Sequence, residues 1–477
     1  MIRNSDIVVI GGSAAGVTAA ITARRHYPEK SVLLVREHQQ VPIPCGIPYI
    51  FGTVGSPSKN LTPDTPLEKE SVKIAVETVQ TIDPNHHRIH TTAGDIQYER
   101  LILATGSVPA RIPIPGVEKD GVFPIFKDVS YLEAMQKKLQ SATQVVVIGG
   151  GFIGIEFADE IQKNGGKTVT ILEVATHCLS LAYDDEFCVE MEATLRSRGV
   201  QIRTQSRVAE IMGRDKVEAV RLADNTLIPA DAVILGVGAV PAVELAKAAG
   251  LKIGPTGGIA VDRAMKTSHE HIFACGDCAE KVSFFRGLPS ALRLASIATL
   301  EARVAGNNLY GIRREFDGVV GVWATAVGKF ALGTAGLTEN AARQNGYDYV
   351  AVTVEGPNRH PGGMPDGAPT KLKLVFDRYT GLLLGGQVRG NAVAGEIANI
   401  VSACIQKRMT AEDIAMFQMG THPALTASPV VYPLVDAAEL AIRKMNATEM
   451  VGRALVDNLT QTAVRKLVGK PVLEPVS

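Results

Sequence analysis

The sequence carries no surplus charge: its 49 Lys and Arg are met by 49 Asp and Glu across 477 residues, a formal net charge of 0. That balance supplies no field to grip a polyphosphate backbone and argues against a nucleic-acid partner. Cysteine is sparse. Six thiols in a chain of this length cannot form a disulfide scaffold, so a reduced, cytoplasmic protein is expected. No apolar run reaches the roughly 18–20 residues of a membrane span. The chain enters a strand-like run at Ile7 with no charged leader and apolar core before it, so no secretory signal is expected. Hydrophobic residues at 46% and charged residues at 21% exclude wholesale disorder. At this length about two to four domains are expected. Glycine is the residue in excess, and its 46 copies cluster in short runs.

Ile7-Val-Val-Ile10 is a short β-branched strand, followed by Gly11-Gly-Ser-Ala-Ala-Gly16 and an Ala-rich, helix-compatible stretch from Val17 to Arg25. Strand, glycine turn and helix are the context of a dinucleotide fingerprint, in which free N–H groups and the positive end of the helix dipole face a pyrophosphate. Ser13 stands where the pattern has its middle glycine. A second strand, Val32 to Val35, runs out to Glu37, about where an acid grips a ribose hydroxyl. The pattern then repeats. Val145-Val-Val-Ile148 leads into Gly149-Gly-Gly151-Phe-Ile-Gly154 with all three glycines present, and the strand Thr168 to Leu172 ends at Glu173. That carboxylate repels a ribose 2′-phosphate and no arginine follows it, which favours NADH over NADPH. Two fingerprints imply two dinucleotides, most simply a nicotinamide passing electrons to a flavin.

Further motifs carry a resemblance. Leu101-Ile-Leu-Ala-Thr-Gly106 matches the Ala-Thr-Gly turn of two-dinucleotide flavoproteins, and Thr267 to Asp277, ending Cys-Gly-Asp, matches their second flavin motif. In these motifs and their order the chain resembles the pyridine nucleotide–disulfide oxidoreductases over roughly residues 5 to 446. The resemblance implies FAD held by Gly11, Ser13, Gly16, Glu37, Thr105, Gly106, Asp277 and Ala295. It implies NADH held by Gly149, Gly151, Phe152, Gly154 and Glu173, with Phe152 where the family often has an aromatic gate over the flavin.

Cys45 lies in Val41-Pro-Ile-Pro-Cys-Gly-Ile-Pro-Tyr49. An apolar-flanked cysteine is ordinarily a small buried hydrophobe. Here prolines 42, 44 and 48 fix the backbone and Gly46 removes bulk beside the thiol. Position 50 is Ile, so the internal redox pair of the dithiol members is excluded. A lone thiol instead works through a mixed disulfide, a persulfide or a sulfenic acid, and needs a lowered pKa to be reactive. The Cys-Gly-x-Pro-Tyr string resembles the single-cysteine branch: coenzyme A-disulfide and persulfide reductases, NADH oxidases and NADH peroxidases. The oxidases and peroxidases carry a histidine in the first glycine loop. The matching residue here is Ala14, which can move no proton and so favours a sulfur substrate.

Thr18, Thr22 and Arg25 share a helix face and, with Arg24, match the face that such reductases turn to coenzyme A phosphates. The same positions also read as a solvated helix end suited to its dipole. Val41 and Pro44 replace the branch's usual Ser and Asn, and the loop Asn358–Pro369 lacks its tyrosine; both departures point to a small sulfur substrate rather than coenzyme A itself. Thr421-His-Pro-Ala-Leu425 resembles the segment that the family passes across a dimer. His422 is therefore a candidate acid or a substrate-lining residue, without the usual orienting glutamate because Ala427 stands there; Tyr432 is a further catalytic candidate. Cys275-Gly-Asp-Cys278 reads as a tight turn rather than an active dithiol. The ten histidines are scattered, His86-His87 reads as an exposed turn, and no metal site is expected.

The expected fold is α/β: two Rossmann-like dinucleotide-binding domains, for FAD (1–113 and 250–320) and NAD (114–249), then a C-terminal α+β dimerisation domain (321–446) and a tail (447–477) with near-helical apolar spacing. The expected protein is a homodimeric, NADH-dependent FAD enzyme that reduces a small thiol-derived disulfide, persulfide or polysulfide through Cys45. The alternatives are an NADH oxidase or peroxidase working through a cysteine sulfenic acid, and an electron-transfer reductase for a protein partner.

Overall fold

The structure, a computed structural model, describes residues 2–361 and 363–447. The helix read in the tail lies outside the described residues. The chain divides into two compact units after Phe330.

The first unit holds two parallel sheets. β1 (Arg3–Ile10) carries the first β-branched run, and Ile7, Val8 and Val9 are fully buried. Each such side chain contributes about 1.5–3 kcal/mol by leaving water. β1 pairs in parallel with β2 (Val32–Arg36) and with a long strand that follows β3 (Lys73–Val76), β4 (Val79–Asp83) and β5 (Arg88–Thr91), namely β6 (Gly94–Leu103). The sheet order is β3-β2-β1-β6-β5-β4, and a late strand, Ile272–Ala274, adds in parallel to β6. The register sets Ile10 beside Leu103 and Leu103 beside Ala274, so three separate motifs leave the sheet at one edge. α1 (Ala14–His26) covers the sheet with Ala15, Gly16, Ala19, Ala20 and Ala23. These small residues let the helix Ala295–Asn307 approach closely: a Cβ on Gly306 would stand 2.8 Å from the Ala19 carbonyl oxygen.

The second sheet consists of β7 (Val122–Pro124), β8 (Gln144–Ile148), β9 (Thr168–Leu172), β10 (Gln201–Arg203) and β11 (Ala232–Leu235), in the order β10-β9-β8-β11-β7 and parallel throughout. α2 (Phe152–Gln162) follows β8. The unit runs on past residue 320 because β12 (Val322–Val327) packs on α2 through Trp323 and Thr325.

In the second unit β13 (Phe330–Gly336), β14 (Tyr349–Pro357), β15 (Pro369–Asp377) and β16 (Leu383–Gly390) form an antiparallel sheet in the order β13-β16-β15-β14. β15 and β16 form a hairpin, closed by Asp377 N–H on the Leu382 carbonyl. α3 (Val393–Gln406) buries Ala394, Ala398, Val401, Cys404 and Ile405. The architecture is the expected α/β one with two Rossmann-like sheets and a C-terminal α+β domain. Among the described residues no helix is long and apolar enough to cross a membrane.

Candidate active site

The first glycine turn is built by backbone collision. Gly11 adopts φ 123°, and a Cβ there or on Gly16 would overlap a carbonyl oxygen, of Ala104 and Gly11 respectively. Ser13 caps α1 in extended conformation but gives no side-chain hydrogen bond, and no acid sits in the first turn. The leading amides therefore face outward with the dipole unopposed, the arrangement that receives a phosphate. Glu37 is exposed beyond β2. Beside it lies a pair that the sequence reading missed: buried Arg36 grips Asp64 through two hydrogen bonds of 2.6 and 2.7 Å.

The Ala-Thr-Gly and Gly-Asp motifs reach the same edge. Ala104 N–H bonds the Ile10 carbonyl and Cys275 N–H the Leu103 carbonyl. Thr105 donates its hydroxyl to the Ala242 carbonyl at 2.7 Å. Asp277 accepts from Ser107 at 2.7 Å and stands 3.7 Å from Lys127, two partners also absent from the sequence reading. Under the turn, Lys281 and Glu301 form a buried ion pair at 3.1 Å, and Glu301 also accepts from Gly276 N–H at 2.8 Å. Burial pushes the Glu301 carboxyl up to about 7 against the pull of Lys281. Ala295 is exposed at the start of its helix. Cys275 and Cys278 are free, buried thiols with pKa values pushed up by burial, as suits a structural turn.

The second glycine turn repeats the first. Gly149 takes φ 105°, and a Cβ on Gly154 would overlap the Gly149 carbonyl oxygen, while Gly151 opens on free space. Glu173 differs from Glu37: its two oxygens accept from Gly150 N–H at 2.6 Å and Ala175 N–H at 2.7 Å. Phe152, the first residue of α2, stacks on Trp323 with ring centroids 6.2 Å apart and 9° between planes.

Cys45 is exposed on a short 3-10 turn, Pro44–Gly46, and a second such turn, Pro48–Phe51, follows; each begins at a proline. Asn60, buried and unread in the sequence, props this arm by donating to the Ile43 carbonyl at 2.9 Å. A Cβ on Gly46 would overlap the Asn60 amide, which explains the glycine beside the thiol. The expected lowering of the thiol pKa is not supplied by the protein's own groups. Loss of solvent and then the charge of Glu156 push it up, Lys127 opposes them, and Asp277 adds to the rise. Glu156 lies on α2 and accepts from the Thr325 hydroxyl at 2.9 Å; burial pushes its carboxyl up to about 7. The thiol thus sits within electrostatic reach of one residue from the Gly-Asp motif and one from the second fingerprint helix.

Thr18 and Thr22 are half-buried on α1, and Thr22 lies toward Gly306 of the packed helix. Arg25 bonds Glu70 at 2.6 and 2.8 Å, and Arg24 donates to the carbonyls of Glu70, Pro28 and Lys30, so both arginines are satisfied within the chain. In the second unit His422 is exposed and its Nδ1 accepts from Ala424 N–H at 3.2 Å; Tyr432 is half-buried. The structure joins two loops that the sequence reading treated separately. Arg359 donates to the Leu425 carbonyl at 3.0 Å, and His360 contacts the carbonyls of Pro423 and Thr426. Three of the scattered histidines also meet, two of them from the Thr267–Asp277 segment: the His87 ring lies 4.5 Å from His271 and 6.3 Å from His269.

Comparison with known proteins follows the same division. Residues 5–302 match the pyridine nucleotide-disulphide oxidoreductase family, and residues 322–431 match the dimerisation domain of that family. An NAD(P)H coenzyme A polysulfide/persulfide reductase of Pyrococcus horikoshii is 32% identical over 442 residues, covering 91% of this chain and 98% of that protein. An NADH oxidase of Methanocaldococcus jannaschii is 30% identical over 451 residues, covering 92% and 99%. Among solved structures, an NAD-dependent persulfide reductase from A. fulgidus superposes with a TM-score of 0.86 at 31% identity, covering 93% of this chain and 84% of that one.

Proposed function

This chain belongs to the pyridine nucleotide-disulphide oxidoreductase family, and from that membership we propose that it reduces a small sulfur substrate, a persulfide, polysulfide or coenzyme A disulfide, at Cys45. It is an NAD-dependent flavoprotein oxidoreductase. The residues fit the two nucleotides, because each glycine turn is a backbone cradle that a Cβ would fill, set before a helix start with no side-chain cap. Gly11, Ser13, Gly16, Glu37, Thr105, Gly106, Asp277 and Ala295 would hold FAD. Gly149, Gly151, Phe152, Gly154 and Glu173 would hold NADH. FAD, when bound, supplies the relay that delivers the electron pair of the NADH hydride to sulfur.

The chain's own part is the sulfur exchange. The Cys45 thiolate bonds one substrate sulfur while the substrate S–S bond breaks and the second sulfur leaves as a thiolate. The electron pair from NADH then releases the first sulfur and restores the Cys45 thiolate. The balance is one NADH and one proton consumed per S–S bond cleaved, giving NAD+ and two thiols from a disulfide, or a thiol and hydrogen sulfide from a persulfide. His422, delivered from a second copy of the chain in a homodimer, would protonate the leaving thiolate, with Tyr432 as a further candidate. The domain limits given above are proposed with this reading. The intramolecular bonds of Arg24 and Arg25 weaken the case for coenzyme A phosphates at that helix end.

The observation that carries the proposal is the exposed thiol on a proline-fixed turn, reached by the charges of both Asp277 and Glu156. Ala14 in the first glycine loop speaks against peroxide chemistry, while the NADH oxidase relative keeps oxygen as the second reading. In Cys45→Ser, NADH-dependent polysulfide and coenzyme A-disulfide reduction should fall about a thousandfold or more while the flavin is still reduced by NADH. Unchanged sulfur reduction in this variant would end the proposal, and wild-type turnover on oxygen or peroxide far above that on every sulfur substrate would replace it.

A further inference from the structure

The Phe152 ring stands between two aromatic neighbours of different character. Tyr183, at 6.1 Å and 50°, is 2% exposed and part of the core. Trp323, the one tryptophan of the chain, lies nearly parallel to Phe152 at 6.2 Å. It is brought there by β12, whose alternate residues share a face. From that face Trp323 meets Phe152 and Thr325 bonds Glu156, one helical turn further along α2. One strand face thus engages one helix face at two successive positions. A Cβ on Gly321 would overlap the indole, so the ring folds back over that glycine. Beside the stack, Gly151 is exposed with open space around it, at the head of the helix whose amides face outward.

We propose that Trp323 is a positioning residue for nicotinamide entry: it holds the Phe152 ring in its resting place, and binding of the nucleotide breaks the stack. This rests on the reading of Phe152 as the gate in front of the second glycine turn. A planar nicotinamide entering beside Gly151 competes with Phe152 for the same space, so the strength of the Trp323 contact sets how readily that space clears. A stack of this kind shifts such an equilibrium by about three- to tenfold.

The single tryptophan makes the test direct. With the FAD-loaded enzyme, tryptophan emission is followed during titration with NAD+, which does not absorb at the emission wavelength. A saturable change is expected in the wild type and its loss in Phe152→Ala. Trp323→Ala should lower the KM for NADH by about three- to tenfold with kcat within about twofold, and Trp323→Phe should return KM toward the wild-type value. Emission indifferent to NAD+, or an unchanged KM in Trp323→Ala, while Phe152→Ala still alters the KM for NADH, would overturn the role of Trp323 and leave the gate standing. If Phe152→Ala itself leaves that KM unchanged, the gate reading falls and the proposal with it.

Discussion

The two glycine turns share a backbone and differ in charge. In each, the third glycine lies against the carbonyl of the first, and neither helix start has a side-chain cap. α1 carries no acid and ends in Arg24, Arg25 and His26, whereas α2 carries Glu156, Asp159 and Glu160. Glu37 stands in solvent, whereas Glu173 is held by two amides of its own loop. The two turns therefore share a backbone cradle and differ in the charges around it, and on the proposed function those charges distinguish the two nucleotides and act on the thiol.

The sharpest way to break the comparison is to close each cradle separately. A Val side chain on either third glycine must displace a backbone carbonyl, an overpacking cost of about 1–3 kcal/mol or more. Gly16→Val should be recovered largely without FAD, with a melting temperature several degrees lower. Gly154→Val should keep its flavin absorbance and lose NADH-dependent flavin reduction by about a hundredfold, since small misplacements at a transfer site cost that much. Loss of FAD from both variants would mean that the two turns do not divide the nucleotides between them.

A smaller effect separates the two acids. On the proposed function Glu173→Ala removes the carboxylate that would repel a ribose 2′-phosphate and should raise NADPH use relative to NADH about 10- to 100-fold in kcat/KM. Its absolute rate with NADH should also fall, because Gly150 and Ala175 lose their acceptor. Glu37→Ala should leave that ratio unchanged. Equal shifts in the two variants, measured side by side, would remove the functional distinction between the turns.

Strands, turns and the thiol arm were legible because they are written in local spacing: β-branched runs, glycines at fixed offsets, prolines around one cysteine. What escaped is pairing between distant positions. Arg36 with Asp64, Asn60 with the Ile43 carbonyl, and Lys281 with Glu301 obey no period, and each forms only when the sheet edge is assembled. One signal was available. Glu301 is a lone acid on the buried face of an Ala-rich helix, and an acid there requires a buried partner. Trp323 escaped because no local spacing ties its strand to α2, far earlier in the chain. The His87, His269 and His271 cluster escaped because the turn between β4 and β5 that carries His87 is remote in sequence from the single turn that carries the other two. The expectation of a lowered Cys45 pKa looked to a helix N-terminus, a nearby cation or the oxidised flavin and not to acids; the carboxylates that outweigh Lys127 come from α2 and from the Gly-Asp turn.

The finest difference between the turns is the acid that only the second helix turns toward Cys45. Glu156 titrates at about 7 against 4.5 for a free carboxyl, so folding favours its protonated form. That contribution to stability is whole below pH 4.5 and is lost as the pH rises through about 7. Glu156→Gln, which cannot ionise, should therefore match the wild type near pH 4.5 and exceed it at pH 8 by about 1–3 kcal/mol in denaturant unfolding. The same change removes a charge that raises the thiol, so alkylation of Cys45 should reach its plateau at lower pH. Thr325→Val should raise the carboxyl pKa further, because the hydroxyl it removes favours the charged form, and so lower stability at pH 8 below the wild type, opposite to Glu156→Gln. If Gln at 156 shifts stability with pH but leaves the alkylation profile in place, the acid acts only within its own helix and strand. The second turn would then differ from the first in stability alone, with no influence on the sulfur.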